Sequence, residues 1–166
     1  MGESTLMRVG YGVDMLLFAD NRPLILGGVE IPSERGLDGP GQGDVLVRAI
    51  IDAYLGACAY CDPGPAPIGP GDEITSLEAL ERVAERGSKK RSSIINIDST
   101  LLIRRPRVSR HVDKMRTNIG NALGCDPMQI SIKERSPEGI GPAGRGESVE
   151  ARVVLLLNLE THLDRR

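Results

Sequence analysis

Apolar and polar side chains alternate in several short stretches of the chain, which is the pattern of β-strands that bury one face. The first stretch covers residues 7–14 and is interrupted by Gly10 and Gly12, which indicate the close approach of another backbone or a bulge. Residues 23–32 form two short runs around a glycine pair and predict a hairpin. Three more strands are predicted at residues 94–103, 130–132 and 149–157. The strand at 94–103 is apolar at odd and even positions, so we expect much of both its faces to be buried.

Three other segments have apolar residues spaced as on one face of a helix. They cover residues 44–59, 75–87 and 109–124. Asp44 stands at the N-cap position of the first helix, and Thr75 with Glu78 forms a capping box for the second. Ser109 is the predicted cap of the third helix, which should end at Gly124.

Strands and helices alternate without a sequence repeat or a linker, which predicts a single domain over residues 1–166. We expect the α+β class with an alternation of the α/β type, in which one mixed β-sheet carries helices on one face. Residues 1–6 are expected to be a disordered N-terminus. The glycine-rich residues 36–43 and the proline-rich residues 63–72 are expected to be flexible loops.

Charge balance and composition disfavour several classes of partner. The 21 basic and 23 acidic residues leave a formal charge of -2, so no overall field attracts nucleic acid or an anionic membrane. Aromatic residues make up 2% of the chain, which argues against base-stacking surfaces. No run approaches the roughly 20 apolar residues of a membrane span, and the N-terminus lacks a signal-peptide pattern. We therefore expect a cytoplasmic protein with no membrane span and no nucleic-acid partner.

The cysteines Cys58, Cys61 and Cys125 cannot all pair within one chain, which favours a reducing compartment. The spacing of Cys58 and Cys61 fits half of a zinc site or a redox pair. Because no second pair accompanies them, the favoured interpretation is two small buried residues at the end of a helix.

A series of short motifs runs in order from Met7 to about Leu157. In the first part of the chain they are Arg8-x-Gly10-x-Gly12-x-Asp14, Pro23-Leu24-x-Leu26-Gly27-Gly28-Val29-x-Ile31-Pro32, Gly43-Asp44-Val45 and Asp52-Ala53-x-Leu55-Gly56-Ala57. In the second part they are Asn96-Ile97-Asp98, Pro106-Arg107, Met115-Arg116, Leu123-Gly124-Cys125 and Gly144-Arg145-Gly146-Glu147. In this order and spacing the motifs resemble the methylerythritol cyclodiphosphate synthase family.

The resemblance implies a homotrimer around a β-walled central cavity, with each active site in a cleft between adjacent subunits. The family's reaction is the metal-assisted cyclisation of a cytidylyl-diphospho-methylerythritol phosphate to a cyclic diphosphate, with release of CMP, in isoprenoid biosynthesis. A zinc ion held by one Asp and two His positions the diphosphate, and a second divalent ion bridges the phosphates with help from a Glu. Metal ions suit this chemistry because the attacking and departing groups are both anionic.

The zinc site implied by the resemblance is largely replaced in this chain. Asp14 matches the zinc-binding Asp, but Leu16 and Arg48 stand where the two His are expected. Pro40-Gly41 replaces a His-Ser pair that lines the family's site. Because one carboxylate does not hold zinc alone, zinc is not expected to bind stoichiometrically, whereas magnesium or manganese remains open. We predict that Arg48 forms an ion pair with Asp14 through two parallel hydrogen bonds and binds a phosphate as well.

The nucleotide half of the implied site has changed too. Pro106 is kept, and Arg107 replaces a phosphate-binding Lys. Ile103 and Glu134 stand where the family has small alanines around the base. The base pocket is therefore expected to be narrower.

The same resemblance supplies the full set of candidate site residues. Those proposed for catalysis are Asp14, Arg48, Asp62 and Glu138, those for binding substrate or nucleotide are Gly64, Pro106, Arg107 and Ser136, and those of the central cavity are Arg145 and Glu147. Asp14 is the only retained zinc-type ligand, and Glu138 is the candidate ligand of a second metal ion. A surface Glu in a turn is an equally good interpretation of Glu138.

Two questions stay open at the level of sequence. Arg104, Arg105, Arg107 and Arg110 surround Pro106 and form either a solvated loop surface or a phosphate site. The function is either the family's cyclase activity with an altered metal site, or the binding of a small diphosphate or nucleotide by a noncatalytic or metal-independent relative. A different phosphoryl-transfer or cyclisation reaction is the third alternative.

Overall fold

The computed structural model of this protein describes residues 4–59, 74–88 and 92–161. Its strands are β1 (Ser4–Ala19), β2 (Leu24–Leu26), β3 (Val29–Ile31), β4 (Gly36–Leu37), β5 (Ser92–Leu102), β6 (Ile130–Arg135) and β7 (Ser148–Thr161). Its α-helices are α1 (Val45–Ala57), α2 (Ser76–Ser88), α3 (Val112–Leu123) and α4 (Gly141–Arg145). None of the described helices is long and apolar enough to cross a membrane.

A five-stranded sheet in the order β4-β1-β7-β5-β6 forms the centre of the fold, and β2 and β3 pair separately as a hairpin. β7 is antiparallel to both β1 and β5, whereas β5 and β6 are parallel. The parallel pair is joined through α3, because parallel neighbours need a crossover connection. The predicted α+β domain with one mixed sheet and the predicted hairpin are therefore confirmed.

Helix α1 lies unusually close to β1, and two glycines of β1 make this close approach possible. A Cβ atom at Gly10 would overlap the carbonyl oxygen of Ala53, and one at Gly12 would overlap that of Ala49. Only glycine leaves room for a backbone at this distance. The contact brings the first turn of α1 next to the part of β1 that carries Asp14.

The opposite face of β1 is uncovered in the single chain. Met7 is 68% exposed, Val9 64%, Tyr11 59% and Leu17 60%, although all four are large apolar or aromatic residues at alternate positions. The neighbouring Val154 of β7 is also exposed. The sheet thus has one face buried under helices and one face that the described residues of the same chain do not cover, and this uncovered face is apolar along β1.

Strand β5 follows the same division. Ile97 and Leu101 are fully buried on the helix side, and a β-bulge interrupts the register between Ile94 and Asn96. Ile95 is exposed. The expectation that this strand is buried on both faces is therefore wrong for one chain by itself.

Asp44 caps α1 as predicted and has a second role that the sequence did not reveal. Its carboxylate accepts hydrogen bonds from the backbone nitrogens of Val47 at 3.1 Å, Gly27 at 3.0 Å and Gly28 at 2.7 Å. The side chain is buried, and this burial raises its pKa to about 6 even though the backbone hydrogen bonds act in the opposite direction. Asp44 therefore joins the β2–β3 turn to the start of α1.

Two segments expected to be disordered or flexible contain secondary structure where the structure describes them. Residues 4–6 belong to β1, because the sheet extends as far as the pairing of Ser4 with Thr161. Residues 36–43 contain β4, which pairs with the end of β1, and a 3-10 turn at Gly41–Gly43. The predicted loop 63–72 falls outside the described residues.

The predicted helix ends are mostly confirmed. The capping box of Thr75 and Glu78 is present, with the two reciprocal hydrogen bonds at 2.6 and 3.2 Å. Gly124 ends α3 in the left-handed conformation. The predicted cap Ser109 is wrong, because a 3-10 turn at Ser109–His111 precedes α3 and His111 takes the N-cap position.

Candidate functional site

Asp14 and Arg48 form an ion pair where β1 meets the first turn of α1. Arg48 donates from Nε to Asp14 Oδ2 at 2.7 Å, and the two side chains are 24% and 19% exposed. The ion pair predicted from the sequence is therefore confirmed. The expected pair of parallel hydrogen bonds is not, because only Nε is engaged. Within the described chain no further hydrogen bond holds the Nη1 and Nη2 groups of Arg48, so these donors remain for a ligand.

The described residues at the other positions implied for the zinc site carry no metal-binding side chain. Leu16 lies two residues after Asp14 on the same face of β1, where it contacts Gly39 and packs against the core. In the neighbouring loop, the carbonyl oxygen of Gly41 accepts a hydrogen bond from Ser76 Oγ at 2.7 Å. Leu16 and Pro40-Gly41 thus provide apolar and backbone groups where the resemblance implies a His and a His-Ser pair.

The residues around Asp14 do not fit a zinc ion. Zinc sites in proteins use three or four N, O or S ligands, and of the three positions for which the resemblance implies zinc ligands only Asp14 carries a side chain of that kind. Its carboxylate already receives a guanidinium, which is a cation with no lone pair to donate. In addition, the described ranges contain no group of three His, Cys, Asp or Glu residues arranged to hold a metal.

A second polar cluster forms where β6 meets the loop after Pro106. Glu134 accepts a hydrogen bond from Arg107 Nη1 at 2.9 Å through one carboxylate oxygen. Through the other it accepts from the backbone nitrogens of Val108 at 2.8 Å and Ser109 at 3.1 Å. The Glu134 side chain is only 9% exposed. The charge of Arg107, predicted to bind phosphate, is therefore balanced within the chain.

Sequence reasoning identified Glu134 as a bulky replacement but missed these three hydrogen bonds. The Glu134 carboxylate accepts hydrogen bonds from two successive backbone amides and an arginine. Its oxygens therefore take the place of the acceptor atoms that a bound ligand would offer there. The sequence contained one sign of this cluster. Glu134 is an acidic residue near the end of β6, and the loop around Pro106 is rich in arginine. Whether Glu134 faces that loop depends on the curvature of the loop, which the sequence pattern does not specify.

The other predicted site residues lie apart from these two clusters or outside the described residues. Ser136 and Glu138 follow β6, and Glu138 is exposed in a turn with a φ of 50°. Neither makes a hydrogen bond to the described residues that would join it to Asp14 or Arg107. Asp62 and Gly64 fall outside the described residues.

Arg145 and Glu147, predicted for the central cavity, form their own ion pair. Both hydrogen bonds between the guanidinium and the carboxylate measure 2.8 Å. The pair raises the pKa of Arg145 and lowers the pKa of Glu147. Since both side chains are about half exposed, this pair contributes little to stability.

The two described cysteines, Cys58 and Cys125, are not joined in a disulfide. Cys58 is buried near the end of α1, as the favoured interpretation expected, and Cys61 falls outside the described residues. Burial, followed by the charge of Asp126, raises the pKa of Cys125 to about 11. Cys125 is therefore a thiol rather than a thiolate near neutral pH.

Comparison with known proteins agrees with the resemblance. A model of the YgbB family matches residues 7–158. The 2-C-methyl-D-erythritol 2,4-cyclodiphosphate synthase of Caldicellulosiruptor bescii is 42% identical over 155 residues, which are 92% of this chain and 99% of that protein. The synthase of Salinibacter ruber is 43% identical over 149 residues, which are 88% of this chain and 95% of that protein.

A solved structure shows the same fold. The structure of IspF from Plasmodium falciparum, a CDP complex, superposes with a TM-score of 0.80 at 27% sequence identity. The superposition covers 93% of this chain and 97% of the other. On the family match, the sequence identity and the shared fold, this chain belongs to the YgbB family, the family of the 2-C-methyl-D-erythritol 2,4-cyclodiphosphate synthases.

Proposed function

We propose that this protein binds a diphosphate or a nucleotide in a cleft between subunits without zinc, and that it does not carry out the zinc-dependent cyclisation. The observation that carries the proposal is the ion pair between Arg48 Nε and Asp14 Oδ2 at 2.7 Å. The resemblance implies that members of this family bind a zinc ion at the carboxylate that corresponds to Asp14. Here the cation at Asp14 is the guanidinium of Arg48.

Arg48 suits this role because its planar guanidinium has donors to spare. Nε is held by Asp14, which fixes the orientation of the group, and Nη1 and Nη2 point away from that bond. A partly exposed guanidinium oriented in this way binds phosphate oxygens through charge-assisted hydrogen bonds. Arg48 therefore replaces the zinc ion in attracting a phosphate, but it does not polarise the phosphate as a Lewis acid does.

The ligand class follows from the family and from the charges. The Plasmodium falciparum relative was solved as a CDP complex, so a cytidine nucleotide is the first ligand to test. The proposed contacts to the phosphates are Arg48, Arg107 and Ser136, with Asp62, Gly64 and Pro106 around the nucleotide. Glu138 remains the candidate ligand of a magnesium or manganese ion that the phosphates help to hold.

Calorimetry with CDP and with inorganic diphosphate tests this proposal. We expect Arg48→Met to weaken binding about tenfold or more, because charge-assisted hydrogen bonds to the phosphate are lost. The Asp14→Asn/Arg48→Met variant should also bind weakly, since it lacks the same cation, and it shows that the loss is not caused by a lone carboxylate. Arg22→Met, at an exposed arginine outside the cleft, is the matched control. Equal affinity of Arg48→Met and the natural chain would overturn the proposal.

The proposed assembly is a homotrimer that covers the apolar face of β1. A monomer would leave Met7, Val9, Tyr11 and Leu17 in water, and exposed apolar patches of this kind are typical of interfaces. The trimer is the closed assembly that the family resemblance implies, with Arg145 and Glu147 at its central cavity.

Light scattering should therefore give about three times the chain mass of 17.9 kDa. Val9→Glu should reduce the mass to that of a monomer, because it places one carboxylate per subunit in an apolar interface. Asp20→Lys, at an exposed position outside β1, should leave the trimer intact. A natural chain that is monomeric at all concentrations would contradict the shared cleft.

A second candidate function is the retained cyclase. It is favoured by the identity of 42% to 43% with curated synthases over 88% to 92% of this chain. An assay for CMP release from the cytidylyl-diphospho substrate, with zinc and with magnesium or manganese supplied, separates the two candidates. We expect no release above the rate without protein, whereas release that is lost in Glu138→Ala would support the cyclase.

A further inference from the structure

The β2–β3 turn lies against both α2 and α3. A Cβ atom at Gly27 would overlap Met115 of α3, and one at Gly28 would overlap Leu77 of α2. The carbonyl oxygens of the two glycines accept hydrogen bonds from Asn118 Nδ2 of α3, at 3.1 and 3.2 Å. Packing and hydrogen bonds therefore fix the turn relative to these two helices.

Asp44 connects this turn to α1 through both oxygens of its carboxylate. Oδ2 accepts a hydrogen bond from the backbone nitrogen of Gly28 at 2.7 Å, and Oδ1 accepts one from that of Gly27 at 3.0 Å. Oδ1 also accepts from the backbone nitrogen of Val47, in the first turn of α1, at 3.1 Å. Asp44 is only 1% exposed, so water competes little for these bonds. One buried side chain thus fixes the start of α1 relative to α2 and α3.

Arg48 stands where α1 is most sensitive to this connection. Its backbone nitrogen donates to the carbonyl oxygen of Asp44 at 3.1 Å, which closes the first turn of the helix. The first turn of a helix frays when its N-terminal groups lose their partners. Asp14, in contrast, lies in β1, which pairs with β7 along most of its length. The contact of 2.7 Å between Arg48 and Asp14 therefore depends on where the first turn of α1 is held.

We propose that Asp44 is a positioning residue for Arg48, which holds the first turn of α1 so that the Arg48 guanidinium meets Asp14 and faces the phosphate. Asp44 does not touch the ligand itself, because its carboxylate is buried and bound to backbone donors. The position matters because the N–H donors of a guanidinium form a rigid fork, which binds phosphate well in few orientations. This inference rests on the function proposed for Arg48, but its first test needs no ligand.

The coupling between Asp14 and Arg48 tests the positioning directly. A double-mutant cycle with Asp14→Asn and Arg48→Met is measured by urea unfolding in the natural chain and again in an Asp44→Ser chain. Serine still caps α1 through its hydroxyl group, but it is too short to hold both glycine nitrogens of the turn. We expect the coupling, as a ratio of unfolding equilibrium constants, to fall about fivefold or more in the Asp44→Ser chain. Equal coupling in the two chains would overturn the proposal.

Two further variants control this experiment. Asp126→Ser makes the same substitution at another capping aspartate, which accepts from the nitrogen of Met128 at 2.8 Å, and it should leave the coupling unchanged. Asn118→Ala releases the β2–β3 turn from α3 while Asp44 stays in place, and it should lower the coupling about twofold. If Asp44→Ser does not fold, the result for Asn118→Ala decides, and unchanged coupling in that variant would overturn the proposal.

Calorimetry with CDP and with inorganic diphosphate extends the test to the ligand. Asp44→Ser should weaken binding about fivefold to tenfold, whereas Asp126→Ser should weaken it less than about twofold. A folded Asp44→Ser chain that binds as tightly as the natural chain would contradict a positioning role. If the natural chain binds neither ligand, the function proposed for Arg48 fails, and the coupling between Asp14 and Arg48 still decides whether Asp44 positions Arg48.

Discussion

Replacing Leu16 and Arg48 together by histidine should produce a chain that binds zinc. The two substitutions supply the two imidazoles that the resemblance implies, beside the carboxylate of Asp14 that the chain retains. Asp14 and Leu16 lie on the same face of β1, and Arg48 already contacts Asp14, so three ligands would surround one point. We expect zinc affinity to rise about 1000-fold, which is about 4 kcal/mol.

Isothermal titration with zinc measures this gain, and two variants control it. Leu16→His alone should gain little, because Arg48 would still hold the carboxylate and repel the ion. Asp14→Asn in the double-histidine chain should lose most of the gained affinity. A double-histidine chain that is folded by circular dichroism but binds zinc no better than the natural chain would show that Asp14 does not mark a former metal position.

Glu134→Ala should raise the affinity for CMP and CDP by about tenfold or more. The natural Glu134 carboxylate occupies the backbone nitrogens of Val108 and Ser109 and neutralises Arg107. The resemblance puts the base pocket at this position, with a small alanine in place of Glu134. The substitution frees three donors and opens space beside them, so a nucleotide no longer has to displace a buried carboxylate.

The Glu134→Gln variant shows whether nucleotide affinity depends on the volume of this side chain or on its charge. Glutamine keeps the volume of the side chain and one acceptor, so it should leave nucleotide affinity nearly unchanged if occupation of the pocket is what matters. Without ligand, Glu134→Ala should also lower the free energy of unfolding by about 1 to 3 kcal/mol, because two backbone donors lose their partner. Unchanged affinity for CMP in a folded Glu134→Ala chain would show that the base does not bind beside Glu134.

The sequence was most informative where the pattern is periodic or the register is fixed by the family. Alternation along β1 and the capping box of Thr75 and Glu78 led directly to a strand and a helix start. The pairing of Arg48 with Asp14 was predictable because the two positions carry opposite charges where the resemblance implies metal ligands. In each case a short-range rule or an aligned position determined the contact.

Contacts that depend on how loops curve were not predictable in the same way. The hydrogen bonds from Gly27 and Gly28 to Asp44 require the β2–β3 turn to fold over the start of α1. The hydrogen bonds from Val108 and Ser109 to Glu134 require the loop after β5 to return to β6. Neither is visible in the spacing of residues, since each joins segments that are far apart in sequence and approach each other only in the folded chain.

The proposed replacement of a zinc ion by the guanidinium of Arg48 is consistent with the charges at Asp14. Loss of the two histidines without compensation would leave Asp14 partly buried with no cation, which carries a desolvation cost. Arg48 removes that cost and adds donors for an anion. Such a pairing is what we expect of a chain that has the family's fold and Asp14 but carries Leu16 and Arg48 where the resemblance implies histidines.

The metal content of the purified natural chain tests this account most directly. After exposure to zinc and removal of the excess, elemental analysis should find well below one zinc ion per chain, and Asp14→Asn should have the same content, because Arg48 and not a metal neutralises Asp14. One zinc ion per chain that is retained by the natural protein and lost in Asp14→Asn would contradict the account and would restore the zinc-dependent cyclase as the function of this protein.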